Sequence, residues 1–414
     1  MTAHFFLLSR SVSQERLSWI EECLKFYFVK ISPENLMHHA KSPEGFFTFL
    51  LTGDALYSLH EPQTARIWEI LLALPSVRII CDRQELALRG ISVDGLKMKY
   101  PDQLIDHNRL GIGGQQSFWN DVAKLARQHE QPVPGTIGYL QLESPYMHRS
   151  AHSLVKCLAG ILDAHASAEL YAYLDGIHCG HTGQDPVDAD NIGAGLEEIS
   201  EKAAKRGLSC QVFACSRCAT ARGYSTFSDG EGLVISACTI RPFRIRTMNE
   251  IVERFGRSHI ILGQDIASIQ MKKESPPPSF PLQEPSRSPP VTFLVTSTPY
   301  ATERALGAVT LAAALAAGGI LTRVVFIEDG VYALTGTQIP ETDSRIFSLQ
   351  ELINAVAGSA NLELYAFQPS LHQRGQIKNP KMNGVLDIGT AELGQMLFGS
   401  PKGSQAGHQR VIFF

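Results

Sequence analysis

The chain has 414 residues, 44% of them apolar and 19% charged. This is a soluble globular composition and excludes a largely disordered or collagen-like chain. Thirty-seven Lys and Arg against 41 Asp and Glu give a net charge of −4, which provides no electrostatic footprint for nucleic acid or an anionic membrane. The eight cysteines, at 23, 81, 157, 179, 210, 215, 218 and 238, are too sparse for a secreted disulfide scaffold, so a reducing, cytoplasmic setting is expected.

The N-terminus lacks a basic n-region, and Phe5 to Leu8 is too short for the apolar core of a signal. In the first part of the chain, Phe49-Leu50-Leu51 reads as a strand followed by an acidic turn at Asp54. Val77 to Cys81 reads as a second strand, followed by a helical turn closing on Arg89-Gly90. A helical stretch Phe118 to Gln128 then meets a boundary at Gln131-Pro132-Val133-Pro134-Gly135. The run Gly111-Ile112-Gly113-Gly114 has no strand before it and fails the test for a phosphate loop.

The middle part opens with a strand over Ile137 to Leu142, a Ser144-Pro145-Tyr146 loop and a helix through His152 to Leu162. Leu170 to Leu174 is a strand ending in Asp175-Gly176-Ile177-His178, and Cys210 to Cys215 is another, leading to Arg222-Gly223. Ser258 to Leu262 closes this part. Lys272 to Pro290 contains seven prolines in nineteen residues. It can be neither helix nor central strand, and as an extended tether it reaches up to ~60 Å.

The last part repeats the middle one: Val291 to Val295, Ser297-Thr298-Pro299-Tyr300, Glu328-Asp329-Gly330, then Leu362 to Phe367 before Arg374-Gly375, and a closing Gln409 to Phe413. Ala305 to Thr322 has 18 residues without a charge. Its Ala, Gly and Thr content and Gly318-Gly319 predict an Ala-rich helix, a turn and a strand, not a membrane span. Three blocks of similar length with the same strand, acidic turn, strand and Arg-Gly order predict three tandem small α/β domains. Each has a mainly parallel sheet flanked by helices, over 1–130, 134–268 and 291–414, with 272–290 as linker.

These three motif sets resemble the DsrE, DsrF and DsrH sulfur-relay proteins, called TusD, TusC and TusB in tRNA thiolation. The middle block is similar to DsrE/TusD through Ser144-Pro145-Tyr146, Asp175-Gly176-Ile177 and Cys215 placed eight residues before Gly223. The last block is similar to DsrF/TusC but has Phe367 where the middle block has Cys215. The first is similar to DsrH/TusB through Glu85 to Ile91, whereas Leu24 to Gly45 departs from the pattern. The resemblance implies a fused form of subunits that are otherwise separate. It also implies a cytoplasmic persulfide sulfurtransferase needing no cofactor, a homodimer carrying six such domains, a TusA-like sulfur donor and a DsrC/TusE-like acceptor.

The chemistry centres on Cys215-Ser216-Arg217-Cys218, after a strand and at a helix start. Free N–H groups and the helix dipole favour a thiolate there, and Arg217 and Arg222 add positive charge. Cys215 is the candidate carrier. Cys218 is either a resolving thiol or an inward-facing packing residue. Tyr146, Asp175 and His178 are candidates to line the site, Asp175 equally as a turn residue and His178 as proton-shuttling lining. Cys81 ends a strand at an analogous loop, but Asp82 beside it would raise a thiol pKa. Two other readings stay open: a Cys215–Cys218 redox pair, and a zinc-binding regulatory module in which Cys179 and His178 or His181 join the two cysteines. Cys23, Cys157, Cys210 and Cys238 read as apolar packing.

Overall fold

A computed structural model describes residues 2–30, 47–74, 76–100, 109–129, 136–147, 149–228, 232–235, 238–257, 260–262, 266–270, 290–338, 348–399 and 410–414. The Pro-rich tether, apart from Pro290, and the 131–135 boundary lie outside the described residues.

The protein is α/β, with three sets of parallel strands flanked by helices. The first set is β1 (Thr2–Leu8), β2 (Phe47–Leu51), β3 (Val77–Asp82) and β4 (Leu110–Gly113), hydrogen-bonded in that order. The middle block forms a sheet from β5 (Thr136–Gln141), β6 (Ser167–Ala172), β7 (Cys210–Cys215), β10 (Phe243–Arg246) and β11 (Ile260–Leu262), in the order β10-β7-β6-β5-β11. Between β7 and β10 lies a small hairpin of β8 (Ser225–Ser228) and β9 (Gly232–Ile235). The last block has β13 (Val291–Val295), β14 (Thr322–Phe326), β15 (Leu362–Phe367), β16 (Val385–Ile388) and β17 (Arg410–Phe413), in the order β16-β15-β14-β13-β17. The middle and last blocks therefore share one strand order, with the final strand returning beside the first.

Both β2 and β13 bury every residue. Parallel strands covered on both faces read as continuous apolar runs, and this is why these segments do not alternate. The helix Arg304–Ala317 and the strand β14 account for the uncharged stretch after Ala305. Among the described residues no helix is long and apolar enough to cross a membrane.

One strand leaves the three-block scheme. β12 (Ile266–Gln270), just after the middle sheet, runs antiparallel between β1 and β17. It occupies the position beside β1 that β11 and β17 hold in the other blocks. The first and last blocks thereby share one ten-stranded sheet. The blocks also meet through helices. Gly160, in the helix Ser150–Asp163, has no room for a Cβ against Trp119 of the helix Gln115–His129. Gly307 is similarly tight against Leu174, and Gly318 against Val252.

The glycine run near residue 111 differs from its sequence reading. Leu110–Gly113 is itself a parallel strand, and Gly114 leads into the helix Gln115–His129. The glycines hid the strand because they carry no β-branched or aromatic side chain. The buried Asp82 carboxylate sits at this turn and accepts from Gln115 Nε2.

Candidate thiolate site

Three strand ends occupy equivalent positions. Asp82, Cys215 and Phe367 are each the last residue of the third strand of their block and the N-cap of a six-residue helix. In the sequence, Cys81 reads as the counterpart of Cys215. The caps instead set Asp82 there: Arg89, Arg222 and Arg374 each stand seven residues beyond their cap. Cys81 is fully buried, and burial together with Asp82 pushes its thiol up to about 12. Three residues beyond each cap stand Glu85, Cys218 and Ser370. Of the three equivalent sites, only the middle one carries thiols.

A tight turn faces each cap. Gly53, Leu174 and Glu328 take positive φ of 52°, 51° and 53°, and the next residue is Asp54, Asp175 or Asp329. Leu174 and Glu328 carry side chains in a left-handed conformation that glycine adopts more cheaply. The amide N–H of Glu328 donates to Ser370 Oγ at 2.9 Å. The amide of Leu174 points likewise at the Cys218 sulfur.

Cys215 is buried and Cys218 nearly so. The Cys218 thiol donates to Cys215, and this is the largest influence holding Cys215 below the ordinary thiol value. Burial opposes it. The amides of Cys218 and Arg217 and the Arg217 charge act with it, although the helix has no side-chain capping bond of ordinary geometry. The shared proton and burial drive Cys218 strongly upward. Cys215 is thus the thiolate of the pair and Cys218 the thiol. The other buried cysteines lack such support. Burial raises Cys179 and Cys210 to about 12 and pushes Cys23 and Cys157 upward as well.

The other sequence candidates fall into two places. Arg222 is in the site: its Nε donates to Asp175 at 2.7 Å and its Nη2 to Glu303 at 2.6 Å. His178 Nδ1 lies 2.9 Å from the Tyr224 hydroxyl, and burial lowers its pKa, so the ring is neutral at pH 7. Tyr146 is elsewhere. Its φ is 71°, and its hydroxyl donates to Gln184 and accepts from the amide of Ile192 at the next helix start. Tyr300 repeats this in the last block, with φ 66° and bonds to Gln338 and Leu349. Tyr146 also lines a cavity of about 490 Å³ with Arg10, Arg149 and His152. Among the described residues no three His, Cys, Asp or Glu side chains converge as metal ligands. Cys179 points instead toward the Glu143 carbonyl.

Two participants were missed in the sequence because they act across blocks. Glu303 stands just before the first helix of the last block, as Arg149 does in the middle block, and Glu15 lies in the first turn of the corresponding helix of the first. Arg374 binds its own Asp329 and Glu15 of the first block, both at 2.7 Å, as Arg222 binds Asp175 and Glu303. At the remaining junction the polarity is reversed. Glu85 accepts from Arg89 of its own block and from Arg149 of the middle block. The blocks thus close a head-to-tail ring of three junctions. The other missed residue is Tyr173, buried beside both cysteines, whose hydroxyl donates to the Gly307 carbonyl of the last block at 3.2 Å.

Residues 290–397 match the DsrE/DsrF-like family. That family is generally associated with sulfur relay. The matched segment is the last block, whose cap is Phe367 in place of a cysteine. No curated protein matches the chain.

Proposed function

We propose that the protein is a sulfur carrier that holds sulfane sulfur as a persulfide on Cys215, in a chain of three fused DsrE-, DsrF- and DsrH-like domains. The observation that carries this is the thiolate at one of three equivalent strand ends, held below its ordinary pKa by Cys218 and backbone amides. The likeness of residues 290–397 to a sulfur-relay family supports it.

The chemistry balances without a cofactor. The Cys215 thiolate attacks the outer sulfur of a donor persulfide. A new Sγ–S bond forms, the donor's S–S bond breaks, and the donor leaves as a thiolate. An acceptor thiolate then attacks the outer sulfur of Cys215–SSH, restoring the Cys215 thiolate. Cys218 supplies a hydrogen bond to whichever anionic sulfur is present, and Arg217 favours the anion by its charge. Burial of Cys215 shields a persulfide from water, so each transfer requires local opening at the strand end. A small TusA-like donor and a DsrC/TusE-like acceptor fit this sequence of steps.

A second reading has support from the same geometry. A thiol donating to a thiolate three residues apart in a C-x-x-C pair is also arranged for disulfide formation. Incubation with polysulfide followed by intact-mass measurement separates the two. A relay gains sulfur on Cys215, whereas a redox pair loses two hydrogens across Cys215 and Cys218.

A further inference from the structure

β10 is an edge of the middle sheet, and among the described residues no strand pairs with its outer side. Its inner side faces β7, where Pro242 O accepts from the Val212 amide at 3.1 Å. Strand alternation therefore turns the carbonyls of Phe243 and Ile245 outward, and Arg241 lies in the turn just before the strand. Each of these three carbonyls accepts from an arginine of the same segment. Arg244 Nη1 donates to Arg241 O at 2.6 Å and to Phe243 O at 2.9 Å, and Arg246 Nη1 donates to Ile245 O at 3.1 Å. The guanidinium groups lie over the open edge and cover its acceptors. Arg217 and Arg241 are exposed nearby. Two carboxylates oppose them: Glu250 lies 3.6 Å from Arg246, and Glu197 accepts the Arg241 amide. The edge is locally basic in a chain whose net charge is −4.

We propose that the outer edge of β10 receives an extended, acidic segment of the sulfur-accepting protein as a sixth strand. That the partner is the acceptor rests on the relay reading above, while the strand addition stands on the edge itself. Carboxylates of the segment draw Arg244 and Arg246 off the edge through charge-assisted bonds, and the freed carbonyls take the segment's N–H groups. Neutral or basic strands meet a covered, like-charged edge, a device that also prevents indiscriminate pairing. In register, Arg246 lies beside Cys215. A sixth strand would end two strand spacings, roughly 10 Å, from the Cys215 strand end. A cysteine just beyond the segment could then reach the persulfide.

The test is fluorescence anisotropy with a labelled eight-residue peptide of alternating Glu and Val, which contains no sulfur and so reports docking independently of sulfur loading. The peptide is expected to bind the wild-type chain and to weaken with added salt. Affinity should fall at least about tenfold in Arg244→Glu/Arg246→Glu. N-methylation of alternate amides should abolish binding. In the wild type, bound peptide should also slow hydrogen exchange at the outward Ile245 amide, a readout that does not depend on the variant folding. Absent binding, equal binding to the double variant, equal binding of the methylated peptide, unchanged exchange at Ile245, or displacement of the peptide by oligouridylate at lower concentration would each overturn the proposal. A protein that takes no sulfur on Cys215 but binds the peptide in this way would refute the relay and leave the docking edge standing.

Discussion

Cys215 and Cys218 share one proton in surroundings that favour the negative charge on Cys215. Removing the Cys218 thiol removes the largest influence that lowers the Cys215 pKa, and burial then acts with less opposition. The rate of Cys215 alkylation in the wild type should therefore level off well below pH 9, because the thiolate persists as pH falls. In Cys218→Ala the inflection should move up, toward or above 9. A profile unchanged by that substitution would mean that the amides and Arg217 alone set the thiolate. The pair was legible in the sequence because strand end, thiol and helix start are contiguous. Glu303 and Tyr173 were not, since their partners lie across a block junction. The match of Cys81 with Cys215 failed by one residue, and in a strand a one-residue shift exchanges the two faces of the sheet.

At the scale of elements, the turn at 174–176 fixes where the cysteine pair meets the next block. Gly176 passes so close to the Gln141 carbonyl that a Cβ has no room, and Gly330 repeats this against Val295. The Gln141 carbonyl is itself held by the Tyr173 amide at 3.0 Å. Gly176→Ala should therefore cost about 1–3 kcal/mol, the usual penalty for overpacking. Thermal unfolding would read this as a lowered midpoint, and an unchanged midpoint would contradict the close approach. The ion pairs beside the turn matter less to stability. Asp175 and Glu303 are 58% and 59% exposed, and such pairs contribute roughly 0–1 kcal/mol. Strand and helix types were legible here from apolar runs and turn residues. β4 was not, because its glycines mask strand propensity.

For the whole molecule, the three blocks meet at Glu143 of the middle block. This buried carboxylate accepts from Arg304 of the last block and pairs with Arg10 of the first. Burial lowers Arg304 to about 10, so the guanidinium depends on its partner. Glu143→Ala leaves that charge buried and should cost about 3–5 kcal/mol. Replacing Glu143 and Arg304 together by Leu should recover most of the loss, and a single variant as stable as wild type would show that the blocks do not rely on this centre. The repeat of three blocks was legible because each motif is local. The joining of the first and last sheets by β12 was not, because nothing within a five-residue strand indicates which distant edges it will pair with. By the resemblance of its blocks to separate subunits, the chain should also form a homodimer, with a solution mass twice 45.4 kDa. The mass of a single chain would count against it.

The sulfur-carrying role of Cys215 is read most directly by mass. Intact-mass spectrometry after incubation with polysulfide, with peptide mapping, would compare the wild type with Cys215→Ser and Cys218→Ser. A carrier at Cys215 requires a gain of one sulfur atom that maps to Cys215, persists in Cys218→Ser and is absent from Cys215→Ser. A wild type that gains no sulfur, or that loses two hydrogens shared between Cys215 and Cys218, would contradict it.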